Sequence, residues 1–318
     1  MKNKFLIILN PAKKICLFLP FLLSLFLSCE QQPDNKKITY ADQHKDTARI
    51  IREEPTVPKV SELRITYSIL PLKGNDSNRK AFMEKYEGEA RNTVLSLNRI
   101  DARHFPAIDS LIIPDTIVND FMAYSPYPAY VSILKDVKKM IFFSYAIQAF
   151  AVYESGKLVK WGPTSMGSKS HPTPTGLHFS NWKSKRAVST VKAEWILNWN
   201  FNIQNRMGVG WHEYALPGYP ASHSCLRLLE ADAKWLYSWA DQWILKDDRN
   251  LLAQGTPVIV FGSYPFGTRR PWRNMADDPE ANKITEETLS KEVEPVLDKI
   301  LQAQQQRAAV IEQRQTGA

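Results

Sequence analysis

The segment Trp211-His-Glu-Tyr-Ala-Leu-Pro-Gly-Tyr-Pro-Ala-Ser-His-Ser-Cys-Leu-Arg227 gathers the side chains best suited to chemistry. Between positions 212 and 227 stand two histidines, two serines, a thiol and an arginine. A thiol attacks a carbonyl as its thiolate, and at the ordinary thiol pKa of about 8.5 little thiolate exists near neutral pH. An imidazole close by can take the proton and later return it to a leaving amine. His212 and His223 are the two candidates for that base, and the Pro-Gly-Tyr-Pro run at 217–220 can fold the chain back to bring His212 beside Cys225. The backbone N–H groups of Ser224 and Cys225 are natural donors to an oxyanion. Arg227 is suited to holding a substrate carboxylate.

The chain's other cysteines sharpen the case for Cys225. There are three in all, Cys16, Cys29 and Cys225. Lys2, Lys4, Lys13 and Lys14, with the largely apolar run at 15–27, make residues 1–28 an export signal. That run is short of the roughly 20 apolar residues that span a bilayer. It ends in Ser28-Cys29, which resembles the lipobox of bacterial lipoproteins, where the cysteine carries lipid and becomes the mature N-terminus. Cys16 would then leave with the signal and Cys29 would be lipidated, so Cys225 would have no disulfide partner. An unpaired thiol in an oxidising compartment is a liability unless it has chemical work. The expectation is an exported, periplasmic, lipid-anchored protein.

Several elements must position these residues. Residues 29–57 are polar and read as a flexible tether. Residues 58–137 form an accessory region mixing helix and strand, with a helix over 75–97. Within it, Val94-Leu-Ser-Leu-Asn-Arg-Ile100 and Ile108-Asp-Ser-Leu-Ile-Ile-Pro114 resemble the second half of a LysM-type glycan-binding repeat. The main domain, 138–265, opens with a β pattern over 140–153, turns at 154–157 and returns in a strand from 158, a hairpin. Further strands fall at 177–179, 195–203 and 257–261, the last with its proline at the start, where a missing N–H is tolerated. Trp235, Leu236, Trp239 and Trp243 give a helix over 232–245 an apolar stripe to pack on the sheet. Were Cys225 near the start of that helix, the partial positive charge there would favour thiolate. Residues 266–318 read as a polar tail, helical over 285–313 with a break at Pro295, lying on the surface or partly disordered.

With these residues in place, the chain resembles the L,D-transpeptidases that carry a YkuD-type catalytic domain. Their signature is an upstream His, then Ser/Thr-His-Gly-Cys, an apolar residue and often Arg. Here it reads His212, then Ser222-His223-Ser224-Cys225-Leu226-Arg227, and a Pro-Thr-Pro-x-Gly loop finds its match in Pro172-Thr173-Pro174-Thr175-Gly176. The resemblance implies an α+β fold: a mostly-β catalytic domain with a packed helix after the cysteine, preceded by the smaller mixed region. It implies Cys225 as nucleophile, His212 as general base, His223 in support, and an oxyanion hole at Ser224 and Cys225. Arg227, Ser222 and Tyr214 are the candidates for substrate contact. The implied reaction is attack on the third residue of a peptidoglycan stem, release of D-alanine and formation of a 3→3 cross-link. Carbapenems acylate enzymes of this family. Three departures stand out: Ser224 replaces the usual Gly, Glu213 follows the upstream His, and the stretch from His212 to Ser222 is short.

Other readings remain open on the sequence. With water as acceptor the same site is a carboxypeptidase or endopeptidase, and with a protein lysine it is an anchoring enzyme. The LysM-like half leaves room for a non-catalytic glycan-binding lipoprotein. His171, His178, His212, His223 and Cys225 match no common zinc spacing, so neither metal nor cofactor is expected. Removing the four signal lysines from the 41 basic residues leaves 37 against 33 acidic ones, too mild an excess to suggest nucleic-acid binding. The expected partners are stem peptides and, through the lipid, a membrane.

Overall fold

The computed structural model describes residues 64–189 and 191–317. The expected export signal, Cys16, Cys29 and the expected tether all lie outside the described residues. The chain runs first through strand β1 (Tyr67–Pro71), helices α1 (Asp76–Lys85) and α2 (Gly88–Leu97), and strand β2 (Ser110–Pro114), which pairs antiparallel with β1. The single helix expected over 75–97 is two helices. Gly88 sits at φ +51°, a left-handed conformation that interrupts a right-handed helix and costs glycine least. Asn75 begins α1 by accepting the Asn78 N–H at 2.9 Å. Phe82, Val94, Ile100 and Leu111 join a small core of this module, while Leu97, at the end of α2, reaches into the main core.

The main domain holds two larger sheets. Strands β3 (Met140–Ser144), β4 (Ala149–Glu154), β5 (Lys157–Pro163), β6 (Gly176–Phe179) and β13 (Pro257–Phe261) form one, in the order β5-β4-β3-β13-β6. Strands β7 (Lys183–Val188), β8 (Ile196–Gln204), β9 (Val209–Glu213) and β10 (Leu226–Leu228) form the other, in the order β10-β9-β8-β7. Helix α3 (Glu230–Trp239) follows β10, and the short pair β11 (Ile244–Leu245) and β12 (Leu251–Ala253) leads to β13.

The five-stranded sheet is buried on both faces, which is why its central strands are apolar almost throughout. Ile141, Phe143, Phe150, Val152, Val258 and Val260 pack toward the second sheet and α3. The alternate residues Phe142, Ala149, Ala151, Tyr153, Ile259 and Phe261 face the other way. There they meet Trp272, Met275 and residues of α4 (Glu286–Val293) and α5 (Leu297–Thr316).

The C-terminal region is therefore a covering layer of the domain, not a loose polar tail. Leu289, Val293 and Ile300 are fully buried there, and a short 3-10 turn containing Pro295 separates the two helices as expected. The continuous β pattern expected over 140–153 is likewise two strands. The turn between them lacks glycine and proline, and Gln148 makes it instead. At φ +49°, Gln148 donates from Nε2 to the Tyr145 carbonyl (2.6 Å) and accepts the Met166 N–H on Oε1 (2.7 Å). The next turn is the one the sequence marks, with Ser155 and Gly156 both at positive φ. No helix among the described residues is long and apolar enough to cross a membrane.

Candidate active site

Strands β9 and β10 run parallel, with Trp211 beside Leu226 and His212 beside Arg227. Side chains alternate along a strand. Trp211, Leu226 and Leu228 thus enter the core between the sheets, and His212, Cys225 and Arg227 line a single cleft on the opposite side. Trp182, Val188, Trp195, Leu197, Met207 and Tyr214 wall it, and no carboxylate is among the described residues that line it.

His212 is 3% exposed. Its Nδ1–H donates to the Glu213 carbonyl at 2.9 Å, so the other ring nitrogen is left as the unprotonated acceptor. Burial drives its pKa down to about 4, against the upward pull of the Glu213 carbonyl and with a further push from Arg227. The ring is therefore neutral at physiological pH. Burial raises the Cys225 thiol above its ordinary value, outweighing a backbone hydrogen bond from Gly210 and the nearby Arg227 charge. At physiological pH the cleft therefore holds a neutral imidazole and a protonated thiol.

Arg227 lies with its guanidinium 4.6 Å from the Tyr214 ring centroid and donates to the Ala215 carbonyl at 3.4 Å. Tyr214 in turn packs edge-on to His212, ring centroids 5.8 Å apart. Ser222 is buried, and its hydroxyl donates to the Cys225 carbonyl at 2.5 Å, so it braces the loop from within. Neither the Ser224 nor the Cys225 backbone N–H has a loop or side-chain acceptor among the described residues. His223 is exposed at the rim, its ring between those of His171 and Trp195 and tilted against both, with centroids 4.3 and 5.0 Å away. It forms the mouth of the cleft, whereas His212 forms the floor.

Residues 138–260 match the family model described as YkuD, L,D-transpeptidase catalytic domain. The family likeness lies in this segment. Among solved structures, the chain is similar to an L,D-transpeptidase from Stackebrandtia nassauensis, with 27% identity over 41% of this chain and 58% of that one, at a TM-score of 0.34. It is also similar to one from Mycobacterium tuberculosis H37Rv, with 20% identity over 48% and 72% of the two chains and a TM-score of 0.32. A third, from Xylanimonas cellulosilytica DSM 15894, shows 22% identity over 39% and 60% and the same TM-score of 0.32. The chain thus spans less than two thirds of the first structure's length. No curated protein matches it.

The matched segment supports Cys225 through residues that sequence reasoning noticed only as a loop. Thr173, 2% exposed in the middle of Pro172-Thr173-Pro174, accepts the Gly167 N–H and donates to the Ser224 carbonyl, both at 2.9 Å. Tyr145 donates its hydroxyl to the Gly167 carbonyl. A Cβ on Gly167 would fall 2.2 Å from the His171 carbonyl oxygen, so only glycine fits. Ser224, standing where the family usually has glycine, is at φ +79°. Asn200 and Asn202, on one side of β8, also line the cleft, and Asn200 Nδ2 and Asn202 Oδ1 have no partner among the described residues. Their alternating spacing was the available signal.

Two expectations change. The helix after the cysteine starts at Glu230, on the far side of β10, and ends at Trp239, leaving Trp243 outside it. A three-residue strand places the helix start on the order of 10 Å from Cys225, beyond the first-turn reach of the helix dipole. The dipole therefore contributes little to the thiol. No group of three or more potential metal ligands occurs among the described residues.

Proposed function

We propose that this chain is an exported cysteine L,D-transpeptidase in which Cys225 is the nucleophile and His212 the general base. The observation that carries the reading is the neutral, tautomer-fixed His212 facing the same cleft as the half-buried Cys225. As the stem peptide seats, the Cys225 proton passes to the free nitrogen of His212 and sulfur bonds to the carbonyl carbon of the third stem residue. The oxyanion of the tetrahedral intermediate is held by the backbone N–H groups of Ser224 and Cys225. Collapse breaks the bond to the terminal D-alanine, whose amine takes the proton from His212. An amine of a second stem then attacks the thioester, His212 removes its proton, and the 3→3 cross-link leaves Cys225 as thiol. Arg227 and Tyr214, in a cleft with no carboxylate among its described lining residues, suit a substrate bearing free carboxylates. Cys29, as the lipidated N-terminus, would hold the enzyme to a periplasmic membrane face.

Purified protein incubated with tetrapeptide muropeptides tests this by mass spectrometry. The expected products are D-alanine and 3→3 dimers, none of them formed by Cys225→Ala. Turnover that survives in Cys225→Ala would falsify the nucleophile assignment. Tripeptide formation without dimers would move the reading to a carboxypeptidase.

A further inference from the structure

The loop that joins His212 to the Cys225 segment is held by the N-terminal module. Asp101, just beyond α2, donates its backbone N–H to the Leu216 carbonyl (3.0 Å) and accepts the Leu216 N–H on its carboxylate Oδ2 (2.9 Å). The other oxygen, Oδ1, accepts the backbone N–H of His104 (3.1 Å) and faces its Nδ1 (2.8 Å), which fixes the carboxylate's direction. Next to this clamp, Ile100 forms a β-bridge with Pro217. Gly218, at φ +81°, lies so close that a Cβ there would meet Ile100 Cγ2 at 2.8 Å. Arg103 approaches both Asp101 and Glu213 at 3.8 Å, and Glu213 also accepts from Asn198 Nδ2 at 3.1 Å.

Glu213 is the residue whose carbonyl sets the His212 tautomer. The clamp therefore touches the loop three residues past the group that orients the base, and the loop ends at the cysteine. We infer that Asp101 is a positioning residue for the Cys225–His212 pair, so that the N-terminal module is a working part of the catalytic site. Two strands and two helices with their own small core thereby hold the loop in the shape that presents both reacting groups to one cleft. Loss of the Asp101 clamp, beyond any general loss of stability, lowers the reactivity of Cys225. This rests on the transpeptidase reading only for the identity of the substrate, because the coupling itself is read on the thiol.

The test measures alkylation of Cys225 by iodoacetamide across pH in the full chain, together with kcat and KM on tetrapeptide stems. Asp101→Ala should slow alkylation and kcat about tenfold, as loss of a part-buried, charge-assisted contact implies, with KM unchanged. Asp101→Asn, which keeps an oxygen acceptor for the Leu216 N–H, should recover most of the rate. Lys80→Ala, on the exposed face of α1 in the same module, should match the parent protein. Phe82→Ala, in the module's core, serves as a comparison for simple destabilisation. The inference is overturned if Asp101→Ala alkylates at the parent rate with the parent pH profile. It is equally overturned if Phe82→Ala slows the thiol as much for the same loss in Tm. A protein whose thiol responds as stated but makes no cross-links would leave Asp101 in place and sink the function proposed above.

Discussion

The hydroxyl of Thr173 donates to the carbonyl of Ser224, the residue before the cysteine, at 2.9 Å. The same oxygen accepts the Gly167 N–H at an equal distance, so a single buried side chain ties two loops together at the site. Thr173→Val keeps the shape and removes both bonds. An unpaired buried donor and acceptor cost roughly 1–3 kcal/mol each. We expect a Tm loss of several degrees and slower acylation of Cys225, measured by calorimetry and single-turnover mass spectrometry. A variant as stable and as fast as the parent would show that Thr173 braces nothing.

Gly167 has no room for a side chain, since a Cβ would lie 2.2 Å from the His171 carbonyl oxygen and 2.5 Å from the Thr173 nitrogen. Gly167→Ala must push the Pro-Thr-Pro loop outward. The expected outcome is a larger loss of activity than of stability, because the rim can yield while the core stays packed. Far-UV circular dichroism alongside turnover separates the two, and retention of more than half the activity would contradict the account.

Ser224 is held at φ +79°, which strains a residue with a Cβ by roughly 1 kcal/mol. Its hydroxyl recovers only a 3.3 Å bond to the exposed His171 carbonyl. Ser224→Gly should raise unfolding stability by about that amount in denaturant titration. A drop in stability would mean that the hydroxyl bond outweighs the strain.

The pH dependence follows from His212. With its pKa near 4, the ring is a competent base from about pH 5 upward. kcat/KM should therefore stay flat between pH 5.5 and 7.5 and fall only near pH 4. An exposed base would lose half its rate at its ordinary value of about 6.5. An acid limb at pH 6–6.5 would transfer the role to a solvent-exposed ring such as His223.

Stability has the matching sign. The unfolded ring takes a proton near pH 6.5 while the folded one resists until about 4. His212's contribution is thus complete above pH 6.5 and shrinks as pH falls toward 4. His212→Gln should flatten the decline of Tm over that window, and an unchanged slope would argue that the ring is not buried neutral.

Much of this protein is written locally. The Cys225 segment, the Pro-Thr-Pro loop and the closing strand at 257–261 can be read directly, because thiol chemistry, proline and β-branched runs each leave a signature in a few residues. The break at Pro295 and the turn at Ser155-Gly156 belong to the same class. Strands β7, β9 and β10 were not visible. β7 is rich in lysine and arginine, and β9 and β10 are too short to show a period before the flanking turns intervene.

What the amino-acid order determined by itself was the inventory: one candidate nucleophile, two candidate bases, and a family's arrangement of them. The family likeness already put His212 forward as base, but how each histidine sits was set only in three dimensions. The parallel register of β9 and β10 sets His212 on the Cys225 face and buries it, while His223 is left at the rim. The tertiary structure likewise turned an apparent polar tail into a covering layer, through Leu289, Val293 and Ile300. It also brought Asp101 to Leu216, more than a hundred residues away. Neither outcome has a local signature, because burial and long-range hydrogen bonds depend on which surfaces meet, and that is a property of the whole packed chain.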